Sequence, residues 1–184
     1  MSNVLVICGS LRKGSYNAMV ARALPELAPA GMKLILSPPI GTMPLYNADI
    51  QAEGFPEPVK VLADAIRAAD AVLFVTPEYN YSIPGVLKNA IDWVSRLPDQ
   101  PFANKPIAIQ SASQGPLGGA RVQYHLRQSM VFLDALVFNR PEIFIGTAQN
   151  KVNDKGELTD QTTRDFIKQQ LEGFAKFITR VGGK

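Results

Sequence analysis

Short apolar runs and helix-like segments alternate along the whole of this 184-residue chain. Four runs are rich in Val, Ile and Leu and have glycine or proline at or near their ends: Asn3–Cys8, Met32–Leu36, Ala71–Thr76 and Pro106–Ala112. Near-continuous apolar strands are buried on both faces, which is typical of a parallel sheet. A fifth run, Ala135–Gly146, contains Pro141 and is predicted to be an edge strand, because proline cannot donate to the ladder.

Each predicted strand is followed by a segment with apolar residues at helical spacing. These segments are Tyr16–Ala28, Pro56–Ala69, Pro84–Leu97, Gly118–Leu133 and Thr159–Val181. Five alternations of strand and helix predict a doubly wound, three-layer α/β sandwich with right-handed crossovers. Five parallel strands favour the flavodoxin-like order 2-1-3-4-5, in which ligands bind at the carboxyl ends of the strands beside the switch point.

Composition limits the other possibilities. A length of 184 residues with 46% hydrophobic residues predicts a single domain over residues 1–184 with a sizeable core. The formal charge of +3 is scattered, and no Lys/Arg block suggests a nucleic-acid partner. One cysteine, Cys8, excludes an internal disulfide, and no stretch resembles a signal peptide or a membrane span. We therefore expect a soluble cytoplasmic protein without membrane insertion.

The loop after the first predicted strand, Gly9–Tyr16, has glycines at both ends of an arginine-containing turn that leads into a helix. A Walker A loop has Lys and Ser or Thr after its second glycine, where this chain has Ser15 and Tyr16. A Rossmann fingerprint needs a small residue where Leu11 stands and an acid after the second strand, where Ser37 and two prolines follow. Both observations argue against nucleoside triphosphates and dinucleotides as the resident ligand.

The same loop suits a single phosphate that is never transferred. Ser10 and Ser15 offer hydroxyl groups, Asn17 offers an amide, and the Arg12 guanidinium can make charge-assisted hydrogen bonds. The helix that follows would present unpaired N–H groups to an anion. FMN fits this description, since its phosphate needs neither a lysine nor magnesium. An ordinary strand–loop–helix turn with a serine cap is the alternative at this point.

Two further loops are expected at the same edge of the sheet. The loop Pro77–Pro84 combines prolines with two tyrosines, an asparagine and a serine, which could supply a flat wall and backbone partners for a flavin ring. Each tyrosine alone could equally be a surface residue. The loop Ser113–Gly119 is rich in small residues, which allow the backbone to approach a ligand and would let the loop adjust to a substrate.

Four stretches together resemble the bacterial NADPH-dependent FMN reductase family, most closely its chromate- and quinone-reductase branch. They are GSLRKGSYN (9–17), PLYNAD (44–49), TPEYNYSIPGVLKNAIDW (76–93) and HLRQSMVFLDA (125–135), and the match extends in order over most of the chain. The resemblance implies a flavodoxin-like fold with tightly but non-covalently bound FMN. It also implies a homodimer or homotetramer.

The resemblance assigns FMN contacts to three groups of residues. The first group, at the phosphate, comprises Ser10, Arg12, Ser15 and Asn17, and Leu11 and Tyr16 of the same loop are also expected to contact the cofactor. The second, at the ribityl chain and ring, comprises Pro77, Glu78, Tyr79 and Asn80, and Ser82 is also expected to contact the cofactor. The third, on the far side of the ring, is the stretch Ser111–Gly115, in which Ser111, Ala112, Ser113 and Gly115 are the named contacts. No metal site and no catalytic side chain are expected, because the flavin supplies the reactive atoms.

The activity implied by the resemblance is a ping-pong reaction. NADPH or NADH first reduces the flavin, and the reduced flavin then reduces a small acceptor. Quinones are the expected acceptors, with chromate and other soluble compounds as further candidates. The alternative is a flavodoxin-like electron-carrier module without NAD(P)H reductase activity. Such carriers tend to be acidic, whereas this chain has a pI near 9.0.

Several residues outside the three loops have two interpretations. The resemblance puts Tyr46 and Asp49, in the long aperiodic connection Ser37–Pro58, near the site or a dimer seam. Arg121, Tyr124 and Arg127 share one helix face, which is either solvated or a subunit contact paired with Glu142. His125 is expected to be structural or at the surface, and Cys8 to be a buried small hydrophobe.

Overall fold

The computed structural model describes residues 1–182 and contains six strands and six α-helices. The strands are β1 Ser2–Cys8, β2 Met32–Leu36, β3 Ala71–Thr76, β4 Pro106–Ala112, β5 Leu136–Val137 and β6 Ile143–Ile145. The helices are α1 Tyr16–Leu27, α2 Ala48–Glu53, α3 Glu57–Ala68, α4 Gly85–Val94, α5 Ala120–Phe132 and α6 Gln161–Val181, with a 3₁₀ turn at Ala148–Asn150.

The sheet is parallel and has the order β2-β1-β3-β4-β5, which confirms the predicted flavodoxin-like topology. Every residue of β3 and β4 is buried, as their continuous apolar sequences predicted. The order reverses at β1, so the carboxyl ends of β1 and β3 border the switch point at which ligands bind in such sheets.

The predicted fifth strand is divided into two short strands. β5 pairs with Pro106 and Ile107 at the start of β4, whereas β6 pairs with Gln110–Ala112 at its end. The chain leaves the ladder between them, around Pro141, which has no N–H group to donate. The prediction of one edge strand over Ala135–Gly146 was therefore correct in position and wrong in continuity.

Helices cover both faces of the sheet. α1 and α6 pack on one face in a core that includes Leu24, Leu171 and Phe174. α3, α4 and α5 pack on the other face around Phe74 and a fully buried Trp93. The α3 stripe predicted from spacing is confirmed, because Val59, Leu62, Ala63 and Ile66 are all buried.

The long connection after β2 is more ordered than its lack of periodicity predicted. It contains α2, whose N-terminus is capped by Asn47, and it is fastened to α4 by side-chain hydrogen bonds. The carbonyl oxygen of Pro44 accepts from Trp93 Nε1 at 2.8 Å, and the Tyr46 ring meets the Trp93 ring edge-on at 5.1 Å. Tyr46 is thus a packing residue within this chain, while Asp49 is exposed.

No helix within residues 1–182 has the length and apolar character needed to cross a membrane.

Candidate functional site

Loops that follow β1, β3 and β4 meet around a cavity of about 270 Å³ at the carboxyl edge of the sheet. The cavity is lined by Ser10, Arg12, Ser15, Tyr16, Asn17, Pro77, Glu78, Tyr79, Ala112, Ser113 and Gln114. Ten of these residues are ones that the sequence resemblance named as cofactor contacts, and Gln114 lies within the stretch Ser111–Gly115 that it placed beside the ring. The topology thus brings all three predicted loops to one place.

The loop after β1 leads directly into the N-terminus of α1. Ser15 is the N-cap of α1 and its Oγ accepts from the Ala18 N–H at 3.3 Å. The N–H groups of Tyr16 and Asn17, the first two residues of the helix, are among those that an α-helix leaves without an intrahelical partner. The exposed Arg12 lies with its guanidinium carbon 5.4 Å from the Tyr16 ring centroid. This terminus therefore combines backbone donors, hydroxyl groups and a cation.

Gly9 allows β1 and β3 to end close together. A Cβ atom at this position would lie 2.4 Å from Thr76 Oγ1, so any side chain would push the two strand ends apart. Gly14 is different, because a Cβ there would contact only the mobile end of Arg12, at 3.3 Å. Of the two glycines that made the loop resemble a phosphate turn, only the first is required by packing.

Asn17 fastens the first loop to the third. Its side chain is 2% exposed, with Nδ2 donating to the Ala112 carbonyl oxygen and Oδ1 accepting from the Ala112 N–H, both at 2.9 Å. The carboxamide is therefore occupied by backbone, whereas the sequence had suggested it as a phosphate ligand. What Asn17 can offer an anion is its own backbone N–H.

The loop after β3 is a tight hairpin turn. Tyr79 and Ser82 exchange two backbone hydrogen bonds of 3.1 and 2.9 Å. The two central residues, Asn80 and Tyr81, have φ values of 48° and 67°, the left-handed pattern of a type I′ turn. Asparagine tolerates this conformation, but a tyrosine adopts it rarely, so the turn must be held by its surroundings.

Glu78 provides that restraint by capping α5. Gly119, the N-cap of α5, has no side chain to cap the helix, and Glu78 Oε2 instead accepts from the N–H groups of Arg121 at 3.0 Å and Val122 at 3.2 Å. The Arg121 guanidinium bonds to Glu78 Oε1 at 3.1 Å and lies 3.9 Å from the Tyr81 ring centroid. Glu78 and Arg121 thereby fix the hairpin against the helix.

The loop after β4 is held by buried hydrogen bonds. Ser111 is fully buried, and its Oγ donates to the Gly118 carbonyl oxygen at 2.7 Å and accepts from Gln123 Nε2 at 2.8 Å. A Cβ on Gly118 would lie 2.6 Å from the Phe144 carbonyl carbon. Gln114, within the stretch Ser111–Gly115 that was expected beside the ring, donates to the Tyr16 hydroxyl at 3.2 Å.

Five residues that the resemblance assigned to the cofactor do not line this cavity: Leu11, Asn80, Ser82, Ser111 and Gly115. Leu11 is 61% exposed and lies against Gly41. Ser82 Oγ is hydrogen-bonded to His125 Nδ1 at 3.0 Å, and His125 itself is exposed. Ser111 acts inside the loop as described above, and Asn80 and Gly115 are exposed at turn positions.

The polar face of α5 pairs with acids of the same chain. Arg121 bonds to Glu78, while Arg127 lies 3.5 Å from Glu142 and the Tyr124 hydroxyl lies 3.4 Å from it. The pairing with Glu142 that the sequence suggested between subunits is thus formed within one protomer. Spacing on the helix identified these residues, but only the fold could show which acids they meet.

The arrangement suits an anionic, planar ligand. Among residues 1–182 no group of three or more His, Cys, Asp or Glu side chains is placed to hold a metal ion. Cys8 is half-buried at the end of β1, and burial raises the pKa of its thiol. The cavity instead offers a helix terminus and a guanidinium on one side and two loop backbones on the other.

Comparison with known proteins places the chain in a family. Residues 2–150 match the family described as NADPH-dependent FMN reductase. The chain is 59% identical over 180 residues to a quinone reductase of Escherichia coli, covering 97% of this chain and 96% of that protein. It is 52% identical over 180 residues to an NAD(P)H-dependent FMN reductase of Pseudomonas aeruginosa, covering 98% and 97%.

A solved structure agrees with this result. The flavoenzyme NAD(P)H:(acceptor) oxidoreductase of Paracoccus denitrificans superposes with a TM-score of 0.88 at 36% identity, with 98% of each chain covered. The resemblance seen in the sequence motifs is confirmed, and the chain belongs to the NADPH-dependent FMN reductase family.

Proposed function

We propose that this protein is an NAD(P)H-dependent oxidoreductase that binds FMN in the cavity between the three loops and reduces quinones by a ping-pong mechanism. The observation that carries the proposal is the convergence of the α1 N-terminus, Arg12 and two ring-side loops at the switch point of the sheet. This is the position at which a doubly wound fold binds its ligand.

The residues at the α1 terminus fit a phosphate monoester. Ser10 and Ser15 present hydroxyl groups, and the N–H groups of Tyr16 and Asn17 point out of the first turn. Arg12 is exposed, so its guanidinium can close over a bound phosphate. A phosphate that is not transferred in the reaction needs only such hydrogen-bond donors and a cation.

The size of the cavity fits a flavin that is only partly enclosed. Its volume of about 270 Å³ is below the usual range of roughly 300–1,000 Å³ for sites that bury a whole ligand of that size. We propose that the phosphate and ribityl chain occupy it, and that the ring lies between Pro77–Tyr79 and Ala112–Gln114. One face of the ring would then remain open to the two substrates in turn.

When bound, FMN supplies hydride acceptance from a nicotinamide and electron delivery to an acceptor. The chain's own contribution is binding and orientation. Glu78, the carboxylate in the cavity lining, is engaged by Arg121 and the α5 backbone, which suits a positioning role. Arg12 offsets the charge of the phosphate, and the Asn17–Ala112 bonds keep the first and third loops together.

The names of the relatives support an enzyme rather than an electron carrier, since they are called quinone reductase and NAD(P)H-dependent FMN reductase. A further relative, 38% identical over 176 residues, is a 2-hydroxy-1,4-benzoquinone reductase of a Burkholderia species. We take a quinone as the acceptor class on this support, and chromate stays a prediction to be tested with it.

Absorbance and kinetics of the purified protein test the proposal. We expect a flavin spectrum that bleaches on anaerobic addition of NAD(P)H and returns when a benzoquinone is added, with parallel lines in double-reciprocal plots. Protein that binds no added FMN would disprove the proposed cofactor site. Protein that holds FMN but is not reduced by either nicotinamide would instead be an electron carrier.

We further propose that residues 1–184 form one cytoplasmic domain that assembles as a homodimer or homotetramer. Support for assembly comes from α5, on which Tyr124 is 56% exposed and Val131 and Phe132 are each 78% exposed. Phe132→Glu should lower the mass found by sedimentation equilibrium, whereas Phe166→Glu, at a 55% exposed position of α6, is the matched control. A monomeric wild-type protein would exclude this assembly.

A further inference from the structure

Leu11 does not line the proposed flavin cavity, although the residues on either side of it do. Ser10 and Arg12 belong to the lining of the cavity that we assign to the phosphate and ribityl chain. Leu11 instead lines a second cavity, of about 400 Å³, beside β2. Its side chain is therefore directed away from the phosphate, and whatever holds it there also bears on the direction of its two neighbours.

The side chain of Leu11 rests on the backbone of Gly41. A Cβ atom at Gly41 would lie 2.8 Å from both Cδ atoms of Leu11, well inside the separation at which carbon atoms pack. The leucine can occupy this place only because residue 41 has no side chain. We call the backbone surface at Gly41 the leucine seat.

The leucine seat is itself fixed to the rest of the protein. Ile40 and Met43, on either side of it, are buried in the core that also contains Trp93. The carbonyl oxygen of Pro44 accepts from Trp93 Nε1 at 2.8 Å. Leu11 thus rests on a surface that is anchored independently of the loop to which Leu11 belongs.

The middle of the loop after β1 depends on itself for hydrogen bonds. In the part of the chain that the structure describes, the hydrogen bonds made by residues 10–14 all end within residues 8–15. The bonds to distant strands are made at the two ends of the loop, by Gly9 and Asn17. The contact with the leucine seat ties the middle of the loop to a distant segment of the chain.

We propose that Leu11 is a positioning residue for the FMN phosphate, and that its contact with the leucine seat holds Ser10 and Arg12 in their binding directions. The inference rests on the proposed function, because it takes the phosphate to lie beside these two residues. Leu11 acts by reducing the freedom that the loop must lose when the phosphate binds. It therefore supports the part of the affinity that distinguishes FMN from riboflavin, which lacks the phosphate.

Titration of flavin-free protein with FMN and with riboflavin, followed by flavin fluorescence, measures that part of the affinity. Leu11→Ala should raise Kd for FMN about three- to tenfold, because binding must then order the loop, and should leave Kd for riboflavin unchanged. Leu11→Met keeps an apolar side chain on the seat and should restore most of the affinity. Leu36→Ala is the matched control, since Leu36 is 54% exposed and lines the same cavity beside β2. An equal rise for both flavins, or no rise for FMN, would overturn the proposal.

Gly41→Ala displaces the leucine without removing any atom of the loop. The three atoms nearest to the new Cβ all belong to Leu11, so we expect a rise in Kd for FMN similar to that of Leu11→Ala. The double variant should match Leu11→Ala alone, because the added methyl group then has no leucine to displace. Gly85→Ala is the matched control, since a Cβ there meets nothing within 4 Å. A double variant whose loss equals the product of the two single losses would contradict the proposed contact.

Tryptic cleavage tests the same loop without flavin. Trypsin cleaves after Arg12 and Lys13, which are both exposed, and cleavage requires the loop to open locally. In flavin-free Leu11→Ala and Gly41→Ala we expect cleavage there to be about three- to tenfold faster, in proportion to the more frequent opening. Cleavage after Lys155, in an exposed turn, is the internal reference and should keep its wild-type rate. Wild-type rates at Arg12 and Lys13 in both variants would overturn the role of the leucine seat.

These outcomes are separable from a failure of the proposed function. A wild-type protein that binds neither flavin would disprove the cofactor site, and the tryptic rates would then still decide whether Leu11 orders the loop. A wild-type protein that binds both flavins equally would show that this loop does not hold the phosphate. Normal FMN affinity in Leu11→Ala, in a protein that prefers FMN to riboflavin, would overturn the positioning role alone.

Discussion

The loop after β1 and the loop after β3 border the same cavity but are held in shape by different parts of the chain. Within the first loop, Ser15 caps the helix that begins at the next residue and Arg12 lies over Tyr16. The second loop depends on α5, since Glu78 bonds to Arg121, 43 residues further along the chain. A loop shaped by its neighbours in sequence can be read from the sequence, whereas one shaped by a distant helix cannot.

This difference has a consequence for the chemistry each loop can offer. The first loop keeps its donors for a ligand, because its internal bonds use the Ser15 side chain and leave the N–H groups of Tyr16 and Asn17 available. The second loop uses its carboxylate to hold itself in place. The carboxylate of Glu78 therefore already has partners within the chain, and what this loop adds to the cavity lining without such partners is its backbone and the ring of Tyr79.

The largest effect is expected at Asn17, whose buried side chain makes two hydrogen bonds to Ala112 at the end of β4. Asn17→Leu leaves the buried N–H and carbonyl groups of Ala112 without partners, and each such loss costs about 1–3 kcal/mol. Urea denaturation should show a loss of about 2–5 kcal/mol. Gln114→Ala removes a single exposed bond to Tyr16 and should cost less than about 0.5 kcal/mol. Equal effects would mean that the first loop does not rely on this contact.

Arg12→Ala tests the ligand side of the first loop. We expect FMN affinity to fall by about 1.5–3 kcal/mol, because a charged hydrogen bond to the phosphate is lost. The free energy of unfolding of FMN-free protein should change by less than about 0.5 kcal/mol, since Arg12 is exposed. Lys13→Ala removes an equal charge outside the cavity lining and should weaken binding much less. Unchanged affinity in Arg12→Ala, measured by flavin fluorescence, would remove Arg12 from the site.

Glu78→Ala tests whether the second loop is held by α5. Removal of this cap should lower stability by about 1–2 kcal/mol. Glu78→Gln keeps an acceptor and should lose less. In a double-mutant cycle with Arg121→Ala, a coupling of about 0.5–3 kcal/mol is expected, because the two side chains are in contact. Additive losses would show that the loop holds its shape independently of Arg121.

The smallest effect is expected at Gly14, and Gly9 of the same loop provides the contrast. Gly14→Ala should raise stability by about 0.4–1 kcal/mol, because the new Cβ meets only the end of Arg12 and the unfolded chain loses freedom. Gly9→Ala should lower it by about 1–3 kcal/mol, since the Cβ would lie 2.4 Å from Thr76 Oγ1. Thermal melts of both variants measure the sign of the change in stability. A destabilised Gly14→Ala variant would show that the loop requires both glycines.

Much of the fold could be predicted, because strand burial and helix periodicity are local patterns. The four apolar runs became β1 to β4 with almost the predicted bounds, and the stripe on α3 was found buried as expected. The predictions of secondary structure were wrong where contacts with other parts of the chain determine the local structure. The run Ala135–Gly146 divided because Pro141 interrupts the ladder, and the aperiodic connection after β2 gained α2, which is capped by Asn47.

The sequence by itself determined the order of the elements and the edge of the sheet at which the three predicted loops meet. Tertiary structure decided which polar groups are left for a ligand. The carboxamide of Asn17 and the carboxylate of Glu78 each bond to backbone 95 and 43 residues away, respectively. A polar side chain satisfies its hydrogen bonds with whatever the fold brings near it, and those partners are not encoded in its local sequence.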